Sequence, residues 1–118
     1  MSNPAARFDP VEFLELADRL SQGITEGDFR SAVSRAYYAI FLRARENLTA
    51  ANLITPTATG GDHRLVVRTL KSQRRVEGNQ LDRLRRRRNL ADYNISISVS
   101  QADAGRVVQV ARALWARL

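Results

Sequence analysis

The sequence contains no cysteine, which excludes thiol catalysis, cysteine-ligated zinc and disulfides. It has one histidine, His63, so only one side chain has an unperturbed pKa suited to proton transfer near neutrality. Metal-ligand spacing, a phosphate-binding glycine loop and a Ser/His/Asp arrangement are all missing; no metal and no cofactor are expected, and Gly60-Gly61 reads as a turn. Three prolines in 118 residues are too few for a fibrous or disordered chain. No apolar run approaches a membrane span, and the opening Met1-Ser-Asn-Pro-Ala-Ala lacks the apolar stretch of a signal peptide. A cytoplasmic protein without a membrane partner is expected. Lysine is nearly absent: Lys71 stands alone among 19 basic residues.

What is present is hydrophobic enough, at 44%, for one globular domain spanning residues 1–118. Its charge is divided unevenly. Residues 1–62 hold six arginines and eight acids, a net of −2, whereas residues 63–118 hold 13 basic residues and four acids, a net of +9. Ten of those bases lie between Arg64 and Arg88, against the acids Glu77 and Asp82. A one-sided field of this kind captures polyanions, and arginine suits bidentate phosphate contacts and stacking on bases. A GC-rich genome would explain arginine over lysine but not the clustering.

The hydrophobic spacing predicts an all-α, up-and-down bundle of four to five helices. Asp9, Pro10 and Glu12 open the first, whose stripe is Leu14, Ala17 and Leu20 and whose end is set by Gly23. A long second helix over about 28–51, with Asp28 as its N-cap, carries Phe29, Val33, Ala36, Tyr37, Ile40, Phe41, Ala44 and Leu48. Residues 52–61 read as a loop. A third helix starts near Asp62, and Gly78 is expected to separate it from a fourth over about 79–92, with Leu81, Leu84, Arg88 and Ala91 on one face. Ile95, Ile97 and Val99 alternate, but without a second strand the segment 94–99 reads as a connecting loop. Ser100 and Asp103 open the last helix in capping-box spacing, with Val107, Val110, Ala111, Leu114 and Leu118 on its core face.

Several residues are candidates for function. Arg88 falls on an apolar face, where an unpaired charge is costly, and Asp92 is adjacent one turn on. Arginine before aspartate is the weaker order for an exposed pair, so a cross-helix or cross-subunit partner is expected to contribute. The pair is either a buried or interfacial ion pair or the lining of an RNA cleft. Arg85, Arg86 and Arg87 cannot all face inward and form a solvated basic ridge, to which Arg64, Arg68, Lys71, Arg74 and Arg75 can add. Tyr37 belongs to the core; Tyr38 is rotated toward a partner or a cleft. Tyr93 can stack on a base or pack, and Asn89 can read a base edge or simply be a polar surface residue. His63 beside Asp62 reads as a cap or surface residue, unless folding brings it near Arg87 or Arg88.

Two segments together carry a family resemblance. Arg30-Ser-Ala-Val-Ser-Arg-Ala-Tyr-Tyr-Ala-Ile-Phe41 looks like the long second helix of HEPN-domain proteins, and Leu84-Arg-Arg-Arg-Arg-Asn-Leu-Ala-Asp-Tyr93 resembles the segment holding that family's Arg-x(4–6)-His motif. His63 also sits where small stand-alone members often carry a histidine. The resemblance spans roughly residues 8–118. It implies a homodimer with a basic RNA-binding cleft, a place in a toxin–antitoxin or defence system, and a nucleotidyltransferase or antitoxin as a possible partner. In ribonuclease members the motif histidine works with the arginine to cut RNA without metal. Here Asp92 occupies the histidine position.

Three readings follow. A metal-independent endoribonuclease would use Arg87, Arg88, Asp92 and Tyr93, with His63 as a further acid–base candidate. A non-catalytic relative would bind RNA through Arg85, Arg86, Arg87, Asn89, Arg74 and Arg75. A protein-interaction module would dock an acidic partner on the same basic surface. Unperturbed aspartate ionises near ~3.9 and histidine near ~6.5, so aspartate is the poorer general acid and the exchange favours binding over cleavage.

Overall fold

A computed structural model describes residues 7–118 of the chain. It holds five helices and, among the described residues, no strand: α1 (Val11–Ser21), α2 (Glu26–Ala50), α3 (Gly61–Gln73), α4 (Arg75–Tyr93) and α5 (Gln101–Arg117). The expected helical bundle is thus observed. None of the helices is long and apolar enough to cross a membrane.

The bundle is built around α2, which packs against all four other helices. Its buried face contains Ala32, Val33, Ala36, Tyr37, Ala39, Ile40, Phe41, Ala44 and Leu48. The four alanines in that set let neighbouring helices approach closely, while Tyr37 and Ile40 supply the bulk. Opposite them lie Leu14 and Ala17 of α1, Val66 and Leu70 of α3, Leu81 and Leu84 of α4, and Val107, Ala111 and Leu114 of α5. Leu20, Phe29 and Leu118 pack at the rim of this core, and Val110, expected inside, is 43% exposed.

The helix ends differ from expectation in three places. Pro10 is the N-cap of α1 rather than its first residue, and no capping box with Glu12 forms; Asp9 Oδ1 instead accepts from the Val11 amide at 3.0 Å. The α2 N-cap is Thr25, not Asp28; Asp28 is the third residue of the helix and completes a reciprocal capping box with Thr25. Aspartate is favoured at both positions, so composition alone could not separate them. Nor does Gly78 divide α3 from α4. The break falls at Arg74, whose backbone is extended, and Gly78 lies inside α4. A side chain at Gly78 would start about 2.4 Å from the backbone nitrogen of Lys71, so glycine is needed there for the close crossing of α3 and α4. The capping box of Ser100 and Asp103 opens α5 as expected, and residues 94–99 form an irregular connection.

The loop between α2 and α3 is fastened by Asp62, which is almost fully buried. Its carboxylate accepts hydrogen bonds from the Thr57 hydroxyl (2.6 Å), the Thr57 amide (2.9 Å) and the Ala58 amide (3.0 Å). These bonds, led by that of the Thr57 hydroxyl, hold the Asp62 carboxyl below the usual carboxylate range. They also fix the start of α3, and with it the neighbouring His63.

Candidate functional site

Each step along α4 turns the side chain by about 100°, so the run Arg85–Arg88 is distributed around the helix. Arg88 points inward and is 7% exposed. Its guanidinium lies 3.7 Å from the Asp92 carboxylate and faces the rings of Tyr37, Tyr38 and Tyr93 at 5.3, 5.2 and 5.9 Å. Among the described residues it makes no hydrogen bond, and its Nε is buried without a partner. Aromatic faces stabilise a cation but accept no conventional hydrogen bond, and 3.7 Å is too long for one to Asp92. Arg88 therefore combines near-complete burial with a buried Nε that has no partner among the described residues. Asp92 remains accessible on one side and accepts a hydrogen bond from Ser34 Oγ of α2 at 3.1 Å. The cross-helix partner expected for this pair is thus a serine and an aromatic wall from α2.

His63 is not a surface or capping residue. Its ring is half-buried, stacks on Phe41 at 4.2 Å between centroids, and meets Tyr38 edge-on at 5.8 Å. Nδ1 shares a 2.5 Å hydrogen bond with the hydroxyl of Tyr37, a side chain wholly inside the core. Burial lowers the His63 pKa, and the positive charges of Arg88 and Arg85 lower it further, so the ring is neutral at pH 7. Burial pushes the Tyr37 phenol well above its ordinary range, so it stays protonated. Nε2 makes no hydrogen bond among the described residues, and it is not among the buried polar atoms lacking a partner. Tyr37 and Tyr38 therefore join two groups far apart in sequence: Arg88 of α4 lies over both rings, and His63 of α3 is bonded to one and packed on the other.

The α4 end of this centre is held by a residue that sequence reasoning did not single out. Arg30 of α2 donates from Nη1 to the carbonyls of Ala91 and Asn94, both at 3.0 Å, and from Nη2 to the carbonyl of Ile97. Its Nε bonds Glu26 at 2.8 Å, and Glu26 in turn accepts from the Val99 amide at 3.1 Å. A helix C-terminus exposes carbonyls and a partial negative charge, and α4 has no basic residue in its own last turn. Arg30 supplies both missing elements from another helix. Its partners lie 61 to 67 residues away, so no local pattern could have revealed them.

The other candidates fall into separate places. Arg85 is half-buried and lines a groove against α3 with Arg64, Val67, Arg68, Lys71 and Asp82; its Nε is buried without a partner. Arg86 is exposed and paired with Asp82 at 2.9 Å. Arg87 turns the other way and lines the groove between α4 and α5 near Asp103 and Val107. The structure therefore does not bring Arg87 together with Arg88, Asp92 and His63. Asn89 and Tyr93 border an open trough with Arg86 and Ile95, Tyr93 being 73% exposed. Arg74 and Arg75 lie at the opposite end of α4, roughly 20 Å from Arg88 at 1.5 Å rise per residue. Arg74 is engaged there by Glu77 at 3.2 Å and the Arg117 carbonyl. The basic ridge expected from Arg85, Arg86 and Arg87 is thus divided among separate faces, with Arg86 and Arg87 in solvent and Arg85 half-buried. No group of three potential metal ligands occurs among the described residues.

No family model and no solved structure matches the chain. It is similar to an uncharacterized protein of Methanocaldococcus jannaschii, with 30% identity over 114 residues, covering 79% of this chain and 64% of that protein. The chain therefore spans under two thirds of the length of that relative.

Proposed function

We propose that this chain is a HEPN-type, RNA-interacting protein, cytoplasmic and homodimeric, that serves in a toxin–antitoxin or defence-like system and binds RNA at the Arg88–Asp92 end of α4. The observation that carries this reading is the buried Arg88 guanidinium, which makes no hydrogen bond among the described residues and whose Nε is buried without a partner there. Buried polar groups in folded proteins are nearly always satisfied, and an orphan calls for a missing partner. A phosphodiester oxygen is a suitable acceptor for an arginine fork. The partly exposed Tyr38 and the exposed Tyr93 suit an unpaired base, and Asp92 with Ser34 offers acceptors for a ribose hydroxyl.

A second reading, metal-independent endoribonuclease, is favoured by one observation, the Tyr37–His63 hydrogen bond. In one tautomer Tyr37 O–H donates to Nδ1 and Nε2 carries the ring proton; in the other Nδ1–H donates to Tyr37 and the Nε2 lone pair is free to take a proton. His63 would then supply from α3 the base that Asp92 cannot supply from α4.

The test is fluorescence anisotropy of a labelled single-stranded RNA with pure protein, followed by gel analysis of the same RNA after long incubation in EDTA. Binding that weakens with salt, by about 0.7 in log–log slope for each neutralised phosphate, is the expected result. Intact RNA after incubation leaves the binding reading and removes the ribonuclease. Absence of binding at low salt removes both and leaves a module that docks an acidic protein.

A further inference from the structure

The basic residues of α3 do not join Arg85–Arg88 in one ridge along α4; they line the groove between α3 and α4. Arg64, Arg68 and Lys71 recur at intervals of four and three on α3, so they share one face. Arg85 faces them from α4, with Val67 on the floor. The one acid in the groove, Asp82, bonds Lys71 at 3.2 Å and Arg86 at 2.9 Å, so its charge is already matched. Arg64, Arg68 and Arg85 have no acidic partner within 4.0 Å among the described residues. Arg85 also has a buried Nε with no hydrogen-bond partner.

The α3 wall of the groove begins at Arg64, the residue after His63 of the centre described above. Lys71 passes close to Gly78 near the start of α4, and bonds Asp82 one turn later. His63, at the start of α3, bonds Tyr37, whose ring is covered by Arg88 toward the other end of α4. The helices are therefore antiparallel along this contact, and the line Lys71, Arg68, Arg64 runs up toward His63. Arg85 stands between that line and Arg88.

We infer that the α3–α4 groove is the track for the backbone of a single-stranded RNA, which runs along Arg64, Arg68 and Arg85 and delivers one phosphate to Arg88. This deepens the proposed RNA-binding reading and rests on it. Single-stranded RNA is favoured over duplex because Arg88 lies beneath tyrosine rings, where a phosphate held in a rigid A-form helix cannot descend. Of these rings, the partly exposed Tyr38 and the exposed Tyr93 offer stacking faces that only unpaired bases can use.

The experiment measures anisotropy of a labelled single-stranded RNA of mixed sequence, and of the same length as a hairpin duplex, across a salt series. The variants are Arg64→Ala/Arg68→Ala and the control Arg83→Ala/Arg106→Ala, which removes equal charge from the α4–α5 side. All four positions are exposed, so both variants should fold, and circular dichroism checks this. The groove variant is expected to bind at least tenfold more weakly and to lose about 1.4 from the salt slope, two phosphates at roughly 0.7 each. The control should change by less than twofold, and the duplex should bind at least tenfold more weakly than the single strand. Equal losses in the two variants, equal binding of duplex, or full competition by a poly-glutamate peptide each overturn the track. If wild type binds RNA and Arg88→Met abolishes binding while the groove variant is unaffected, the track alone is wrong. If wild type binds no RNA, the reading beneath it fails as well.

Discussion

The two sides of α4 carry the same residue type to different ends. On the side facing α2 and α3, Arg88 is buried against tyrosines and Arg85 is half-buried, each with an Nε that lacks a partner among the described residues. On the side facing α5, Arg87 stands in solvent at the edge of a groove. Arg87 and Arg88 are adjacent in the chain, yet one is a screened surface charge and the other a desolvated cation. What separates them is a 100° turn and the packing that the inward face receives. A basic run is therefore not one site, and its function depends on which guanidinium lacks partners.

If the inward face depends on being held in place, removing its anchors should have the largest effects. Arg30→Ala is expected to destabilise the fold by about 3 kcal/mol, since hydrogen bonds to a charged group contribute roughly 1.5–3 kcal/mol each and several are lost together. Urea unfolding checks this, and hydrogen exchange should rise first at the end of α4. A loss below about 1 kcal/mol would mean that the α4 C-terminus is held by packing alone. Gly78→Ala is expected to cost ~1–2 kcal/mol, because overpacking against the Lys71 backbone outweighs the gain in helix propensity. Thermal melting should show a fall of about 4–8 °C.

Arg88→Met sharpens the comparison from the opposite direction. Replacing a buried, poorly paired charge by an apolar side chain of similar length should leave stability unchanged or raise it by ~1 kcal/mol. The outward Arg87→Ala should stay within about 0.5 kcal/mol of wild type. A strong loss of stability in Arg88→Met would show that the cation is structural after all.

The smallest expected effect is on pH dependence. The folded His63 has a lowered pKa, so below the unfolded value of about 6.5 the unfolded chain binds the proton more readily. Stability should therefore decline as pH falls from about 7 to 5. The shifted carboxyls of Glu26, Asp28, Asp62 and Asp103 are lowered, so their contributions are lost at more acidic pH and do not obscure this window. Because His63 is the only histidine, His63→Gln should flatten the melting temperature between pH 5 and 7.

Much of the fold was legible from local pattern. The long run from Val33 to Leu48 shows a helical period that few alternatives share, and Ser100 with Asp103 announces a helix start. The boundary between α3 and α4 was misread because glycine signals a break as readily as a close crossing; only the Lys71 backbone beside Gly78 distinguishes the two. Arg88 was legible as an inward-facing residue, and Asp92 as its neighbour one turn on, from their spacing. The role of His63 was not, since its partners Tyr37 and Phe41 lie on another helix and nothing in the Gly61–His63 segment points to them. Arg30 was hidden for the same reason: its ligands are main-chain carbonyls, which leave no trace in side-chain identity.

The most direct test of the account is RNA affinity measured side by side for wild type, Arg88→Met and Arg87→Ala at one low salt concentration. The account predicts that Arg88→Met binds at least tenfold more weakly, about 1.4 kcal/mol or more, while Arg87→Ala binds within threefold of wild type. Equal losses in the two variants would contradict it, because the buried guanidinium would then be contributing no more than any other positive charge on α4.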